Sequence, residues 1–168
     1  MASKNGKALG VYAGSFDPLT IGHLWMIEEG RKLFDQLVVS IGINPDKKYT
    51  FSLEERIEML RASTAKFRNV SIDSFSNLYL VDHARSIKAT HILRGIRSQA
   101  DFEFERGMRN INGDLDPTIC TVFLMPPREI AEVSSSMVKG LIGPNGWQNI
   151  VRKYVPAAVF KTLTKSKV

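Results

Sequence analysis

The chain has 168 residues, 43% of them hydrophobic, which is enough for one well-buried core and short for two, so a single domain is expected. No run approaches the roughly 20 consecutive apolar residues that span a bilayer, and a single cysteine excludes an internal disulfide. The formal charge of +6 favours anionic partners, but no RNA-recognition motif, zinc-finger spacing or basic helix with interleaved aromatics points to nucleic acid.

In chain order, the polar segment Met1 to Lys7 lacks a signal-peptide core, which predicts a cytosolic chain. The apolar run Ala8 to Ala13 predicts a first strand, and the pattern Leu24 to Phe34 a first helix with Met26, Ile27, Leu33 and Phe34 inward. Between them lies Gly14-Ser15-Phe16-Asp17-Pro18-Leu19-Thr20-Ile21-Gly22-His23. A strand that feeds a helix through a Gly-containing turn directs backbone N–H groups and the positive helix end at one point, which suits phosphate. Thr20 and His23, three apart, project from the first helical turn toward that point. Trp25 falls with Glu28, Glu29 and Lys32 on the polar face, and an aromatic there predicts an intersubunit or partner contact.

Leu37 to Ile43 reads as a buried strand closed by Asn44-Pro45-Asp46, after which come Lys47 and Lys48. Ser52 to Glu55 has capping-box spacing and opens a helix to about Ser63, with Leu53, Ile57 and Leu60 on one face. Val70 to Phe75 is a third strand, Leu78 to Lys88 a helix, and His91 to Leu93 a short strand running into Arg94-Gly95-Ile96-Arg97. Ser98 again has capping spacing to Asp101, which predicts a helix carrying Phe104, Met108 and Ile111 and ended by Asn112-Gly113-Asp114. Gly107 inside it costs on the order of 1 kcal/mol against Ala, so it is expected to serve close approach or to be an accident of divergence. Thr118 to Met125 is a fifth strand in which Cys120 reads as a small buried hydrophobe. Ser134 to Ser136 starts another helix, and after Gly143-Pro144-Asn145-Gly146 the segment Trp147 to Leu163 is helical, with Pro156 inside it.

Strands alternating with helices predict an α/β, Rossmann-like fold: a five-stranded, mostly parallel sheet with helices on both faces and a C-terminal helical segment. Ligands in such folds bind beyond the carboxyl ends of the strands. Residues 15–23, 44–48 and 94–97 and the residues after Met125 all follow strand ends, so they converge on one edge. Neither a Walker-type nor a G-x-G-x-x-G motif is present. His83 and His91 have no second ligand at metal-binding spacing and are read as structural or surface residues. The core is expected over 7–163, with flexible ends at 1–6 and 164–168 and a solvated basic tail at Lys161, Lys165 and Lys167.

The loop at 14–23, Asn44-Pro45-Asp46-Lys47-Lys48, the segment Phe51 to Arg56, Arg94-Gly95-Ile96-Arg97 with Asp101 to Glu105, Phe123 to Pro126, and Val133 to Lys139 together resemble the bacterial phosphopantetheine adenylyltransferases. The likeness runs from about Lys7 to Pro156. It implies adenylyl transfer from ATP to 4'-phosphopantetheine, giving dephospho-coenzyme A and pyrophosphate, with Mg2+ carried on the ATP phosphates, a cytoplasmic homohexamer and feedback by coenzyme A. By position, the resemblance makes His23, Lys47 and Arg94 catalytic. It puts Ser15, Lys47 and Arg94 on the acceptor phosphate and Leu80, Met108, Ile111 and Asn112 along the pantetheine arm. The ATP site it implies comprises Ser15, Phe16, His23, Gly95, Ile96, Arg97 and Glu105 with Ile130, Ala131, Glu132, Val133, Ser134, Ser135 and Ser136, and no protein metal ligand. The family pattern has Thr where Ser15 stands, and it differs at Ser76 to His83 and at Arg106, Gly107 and Arg109, which border the expected pantetheine pocket. Alternatives are an adenylyltransferase of the same fold acting on another phosphorylated acceptor, such as nicotinamide mononucleotide, and a non-catalytic nucleotide-binding module.

Overall fold

The computed structural model describes residues 7–165. Five strands, β1 (Leu9–Gly14), β2 (Gln36–Ile43), β3 (Val70–Ser76), β4 (His91–Gly95) and β5 (Cys120–Leu124), form one sheet in the order β3-β2-β1-β4-β5. Every pairing is parallel, including β1 with β4, where Tyr12 lies opposite Leu93. The strand order reverses between β1 and β4, so the crevice that receives ligands in this architecture opens beyond Gly14 and Gly95.

Helices cover both faces. Side chains alternate across a strand, and Val11 and Ile92 pack with Val81 and Ala84 of α3 (Leu80–Ser86), whereas their neighbours Tyr12 and Leu93 join the larger cluster. That cluster holds Met26 and Ile27 of α1 (Ile21–Leu33) and Met59 and Leu60 of α2 (Leu53–Thr64). It is closed by Val138 of α6 (Ser135–Gly140), Val151 of α7 (Trp147–Val151) and Val159 and Leu163 of α8 (Ala157–Lys165). The remaining helices are α4 (Gln99–Leu115) and the short α5 (Arg128–Ala131), which sequence reading had not separated from its loop. The expected final helix is split at residues 152–156, and Thr164 and Lys165 continue α8 rather than belonging to a flexible end. Positions 1–6 and Lys167 lie outside the described residues.

Caps decide several boundaries. At α2 both arms of the capping box close: the Ser52 hydroxyl accepts from the Glu55 N–H at 3.2 Å and the Glu55 carboxylate accepts from the Ser52 N–H at 2.8 Å. The expected stop of α4 at Asn112-Gly113-Asp114 is wrong; the helix runs on to Leu115. Arg85 of α3 explains the extension, since its guanidinium donates to the Leu115 carbonyl and to the Asp116 carboxylate at 2.9 Å, satisfying groups a helix end leaves open. A Cβ at Gly107 would meet nothing within 4 Å, so close approach does not explain that glycine. Gly107→Ala is expected to stabilise the chain by about 1 kcal/mol, read as a higher urea midpoint at unchanged slope.

Three burial expectations are corrected. Leu33 is exposed and Gly30 takes its inward place on α1, because a closely packed helix meets β4 there; a Cβ at Gly30 would lie 2.4 Å from Leu93 Cδ2. Trp25 is half-buried and packs against the main cluster rather than standing fully exposed on the polar face. Cys120 is exposed, because β5 is an edge strand and Cys120 starts it.

Candidate active site

The loop after β1 is built from its sequence outward. Phe16 takes φ 48°, in the left-handed region that a bulky side chain enters only when the surroundings hold it there. Full burial does so: Phe16 is 0% exposed and meets Tyr12 and His23 edge to face at centroid distances of 5.6 and 5.2 Å. The Phe16 side chain does not line the polar cavity; its ring packs under His23.

His23 occupies the N3 position of α1, where a capping box usually places Glu or Gln. The Thr20 hydroxyl accepts from the His23 N–H at 3.3 Å, and the Thr20 N–H donates to His23 Nδ1 at 3.2 Å. The second bond fixes the tautomer: Nδ1 is the acceptor, so the neutral ring carries its proton on Nε2. Burial lowers the His23 pKa to about 4, and the Arg97 charge adds to the effect. The ring is thus a neutral donor at physiological pH, a cap and a cavity group at once. Its stability contribution follows from the sign of the shift. Between pH 6.5 and about 4 the unfolded chain binds the proton first, so stability from this group is complete above 6.5 and is lost as pH falls through that window. An NMR titration of the His23 ring in the free protein is expected to show a midpoint near 4, and a midpoint near 6.5 would contradict the buried neutral cap.

His23 lines a cavity of about 250 Å³ with Tyr12, Ala13, Gly14, Gly22, Met26, Arg94, Gly95, Arg97, Asp101, Glu105, Pro126, Ile130 and Val133. Gly22 lets the first turn of α1 approach the segment after β5, since a Cβ there would lie 3.1 Å from the Val133 carbonyl. Arg97 extends into the site while held by Asp101, with Nε donating at 2.9 Å. Burial raises the Tyr12 pKa to about 12 against the opposing charges of Arg94 and Arg97, so its phenol stays neutral.

A second, apolar groove of about 390 Å³ adjoins this cavity. Phe75, Tyr79, Leu80, Phe104, Met108, Ile111, Asn112 and Leu115 line it. The stripe Phe104, Met108, Ile111 on α4 therefore faces the groove rather than the core, with Phe104 63% and Ile111 51% exposed. Ala13, Gly14, Arg94 and Glu105 line both spaces. At this junction the Arg94 guanidinium is clamped by the Glu105 carboxylate through Nε at 2.9 Å and through Nη2, while Nη1 donates to the Ala13 carbonyl at 3.2 Å. Burial works against the Arg94 charge, but the bond to Glu105 outweighs it and raises the pKa above the ordinary arginine value.

The structure brings His23, Arg94, Gly95, Arg97, Glu105, Ile130 and Val133 to the polar cavity and Leu80, Met108, Ile111 and Asn112 to the groove. Glu105 lines the cavity with both carboxylate oxygens engaged by Arg94. Ile96 is buried, with its N–H donating to the Leu124 carbonyl. Ser134 caps α6, Ser135 donates to the Pro18 carbonyl at 2.8 Å, and neither lines the cavity; Ala131, Glu132 and Ser136 do not line it either. Ser15 is half-buried beside Gly14, and Lys47 is exposed in the loop after β2, 5.8 Å from the Tyr49 ring centroid and outside both spaces. Tyr79 lies in the 76–83 segment expected to border the pantetheine pocket, and Gly22 and Asp101 lie in the quoted motifs without an assigned role; Tyr12, Phe75 and Leu115 were not singled out. Leu115 alone carried a signal, since it extends the 104, 108, 111 periodicity by four. His83 and His91 are structural, as expected: His83 is buried 2.9 Å from Ser40 Oγ and stacks on Phe75, and His91 pairs with Thr90.

Among the described residues no group of three His, Cys, Asp or Glu could hold a metal, and no helix is long and apolar enough to cross a membrane. The fold resembles a Plasmodium falciparum nicotinic acid mononucleotide adenylyltransferase solved with NaAD, at TM-score 0.71 and 16% identity over 95% of this chain and 96% of that one. A family model described as cytidylyltransferase-like matches residues 11–141. Phosphopantetheine adenylyltransferase of Chromobacterium violaceum is 56% identical over 91% of this chain and 93% of its own length. That of Neisseria meningitidis serogroup C is 59% identical over 91% and 90%. The chain belongs to the cytidylyltransferase-like family of nucleotidyltransferases and, within it, to the phosphopantetheine adenylyltransferases.

Proposed function

We propose that the chain transfers the adenylyl group of ATP to 4'-phosphopantetheine, releasing dephospho-coenzyme A and pyrophosphate. The observation that supports this most is the shared wall: a polar cavity lined by His23 and two arginines opens at Arg94 into an apolar groove. Two phosphate-bearing substrates meet at the cationic junction, and the uncharged pantetheine arm lies along Leu80, Met108 and Ile111. Burying that arm against Phe104 and Met108 contributes through the hydrophobic effect, roughly 25 cal/mol per Å² of apolar surface removed from water.

In the reaction an oxygen of the acceptor phosphate attacks the ATP α-phosphorus, and the bond from that phosphorus to the bridging oxygen of pyrophosphate breaks. No proton needs to be removed from the nucleophile, so the protein aligns the reactants and stabilises charge on the phosphoryl oxygens. The His23 Nε2–H donates to an α-phosphoryl oxygen, Ser15, Lys47 and Arg94 hold the acceptor phosphate, and Arg97 with the segment 130–136 holds the β- and γ-phosphates. Lys47 reaches the acceptor by movement of the exposed 44–48 loop. Mg2+, carried on the ATP phosphates, would lower their charge. A cytoplasmic homohexamer and feedback by coenzyme A, which shares the pantetheine arm, complete the proposal.

The reading is tested by pyrophosphate release from ATP and 4'-phosphopantetheine. Release that needs both substrates is expected; ATP binding without release for any phosphorylated acceptor would mean a binding module instead. Lys47→Ala is expected to weaken the acceptor and leave ATP binding nearly unchanged, measured by calorimetry with each ligand. Selective loss of ATP affinity would reverse the assignment of the two phosphate sites.

A further inference from the structure

Asp17 is 1% exposed and sits in the loop between β1 and α1 without lining either space. Its carboxylate accepts from the Thr50 N–H at 3.1 and 3.0 Å, from the Phe51 N–H at 2.9 Å and from the Lys139 ammonium at 3.0 Å. These partners come from two other segments: the one that follows Lys47 and the helix α6, which Ser134 caps and Ser135 and Ser136 open. Burial pushes the Asp17 carboxyl up, but the two N–H groups and Lys139 outweigh it and hold it below the ordinary carboxylate value.

Neighbouring bonds run the same way. Ser135 Oγ donates to the Pro18 carbonyl at 2.8 Å, tying α6 to the loop a second time. Arg56, 2% exposed, donates from Nη1 to the Ser15 carbonyl at 3.0 Å and from Nε to the Ser52 carbonyl, with its guanidinium carbon 4.1 Å from the Tyr49 ring centroid. The arginine thus links α2 to the residue that precedes Phe16.

We infer that Asp17 is a positioning residue whose bonds to Thr50, Phe51 and Lys139 fix the spacing between the acceptor-side groups Ser15 and Lys47 and the serine segment 134–136. The inference rests on the proposed adenylyl transfer for its kinetic consequence but not for its structural one. Ser15 lies in the loop that Asp17 anchors and His23 in the first turn of the helix it leads into, Lys47 stands three residues before Thr50, and Lys139 lies three residues after Ser136. In-line transfer asks these three segments to keep one mutual geometry through the reaction. A buried carboxylate that binds two of the segments from within the third supplies that geometry without touching substrate.

The full chain with Asp17→Asn, Lys139→Met and Lys139→Arg tests this. Asn keeps the size of Asp but puts an amide donor against the Thr50 and Phe51 N–H groups or the Lys139 ammonium. Turnover of folded Asp17→Asn is expected to fall about 10- to 100-fold, the scale of a small misalignment. Acceptor KM should rise while ATP KM changes little, and Lys139→Arg should recover most of the loss seen in Lys139→Met. Hydrogen exchange at residues 44–51 should accelerate in Asp17→Asn, and if that variant does not fold, Lys139→Met against Lys139→Arg decides by the kinetic comparison. A lower melting temperature with turnover per folded molecule, both KM values and the 44–51 exchange unchanged would overturn the inference, leaving Asp17 structural only. If the parent chain does not use 4'-phosphopantetheine, the proposed function fails, and the exchange comparison alone decides whether Asp17 positions the loop.

Discussion

His23→Ala is expected to lower turnover more than about 100-fold, the scale associated with losing one donor aimed at a developing oxyanion. The expectation rests on the tautomer: Thr20 N–H occupies Nδ1, so the only ring proton faces the cavity. Helix α1 loses one arm of its capping box, a cost of about 1 kcal/mol, while the Thr20 hydroxyl still accepts from the residue 23 N–H. The variant therefore folds, and its loss is read in kcat rather than in melting temperature. His23→Gln separates the roles further, because glutamine at N3 can restore the bond from the Thr20 N–H but leaves no Nε2–H. Restored stability without restored turnover is the expected outcome. Recovery of both would mean that His23 acts only as a cap.

Arg94→Ala is expected to abolish productive acceptor use and to destabilise the fold by about 3 to 5 kcal/mol, because it leaves the buried Glu105 carboxylate without its partner. The double variant Arg94→Ala with Glu105→Gln removes the unpaired charge. It is expected to regain most of the stability and none of the turnover, a non-additivity that a double-mutant cycle measures in urea. If Glu105→Gln alone reduces ATP affinity while leaving Arg94 function intact, Glu105 is a nucleotide ligand, and the clamp described above is secondary.

What the amino-acid sequence discloses here divides by range. Strands and most helix starts were readable from local signals: Ser52 with Glu55, Ser98 and Ser134 each cap the helix that follows them. The turn and capped helix start of the loop 14–23 were readable because their signals lie in adjacent residues. Contacts across the sheet were not. The C-terminus of α4 depends on Arg85, thirty residues earlier than Leu115. Exposure of Cys120 depends on β5 lying at the edge, which no local pattern announces. The 104, 108, 111 stripe has the periodicity of a core face, and only the placement of α4 over the mouth of the sheet turns it toward a groove. Pairing of Arg94 with Glu105 joins a strand end to the middle of α4, a contact that no local pattern announces.

The central claim is that the apolar groove selects the acceptor. Its most direct measurement is kcat/KM for pyrophosphate release with ATP and either 4'-phosphopantetheine or nicotinamide mononucleotide, taken on the same preparation. A strong preference for phosphopantetheine is expected, and Met108→Asp should erode it by placing an uncompensated charge where the arm lies. Equal use of the two acceptors, or a preference for the mononucleotide, would contradict the account.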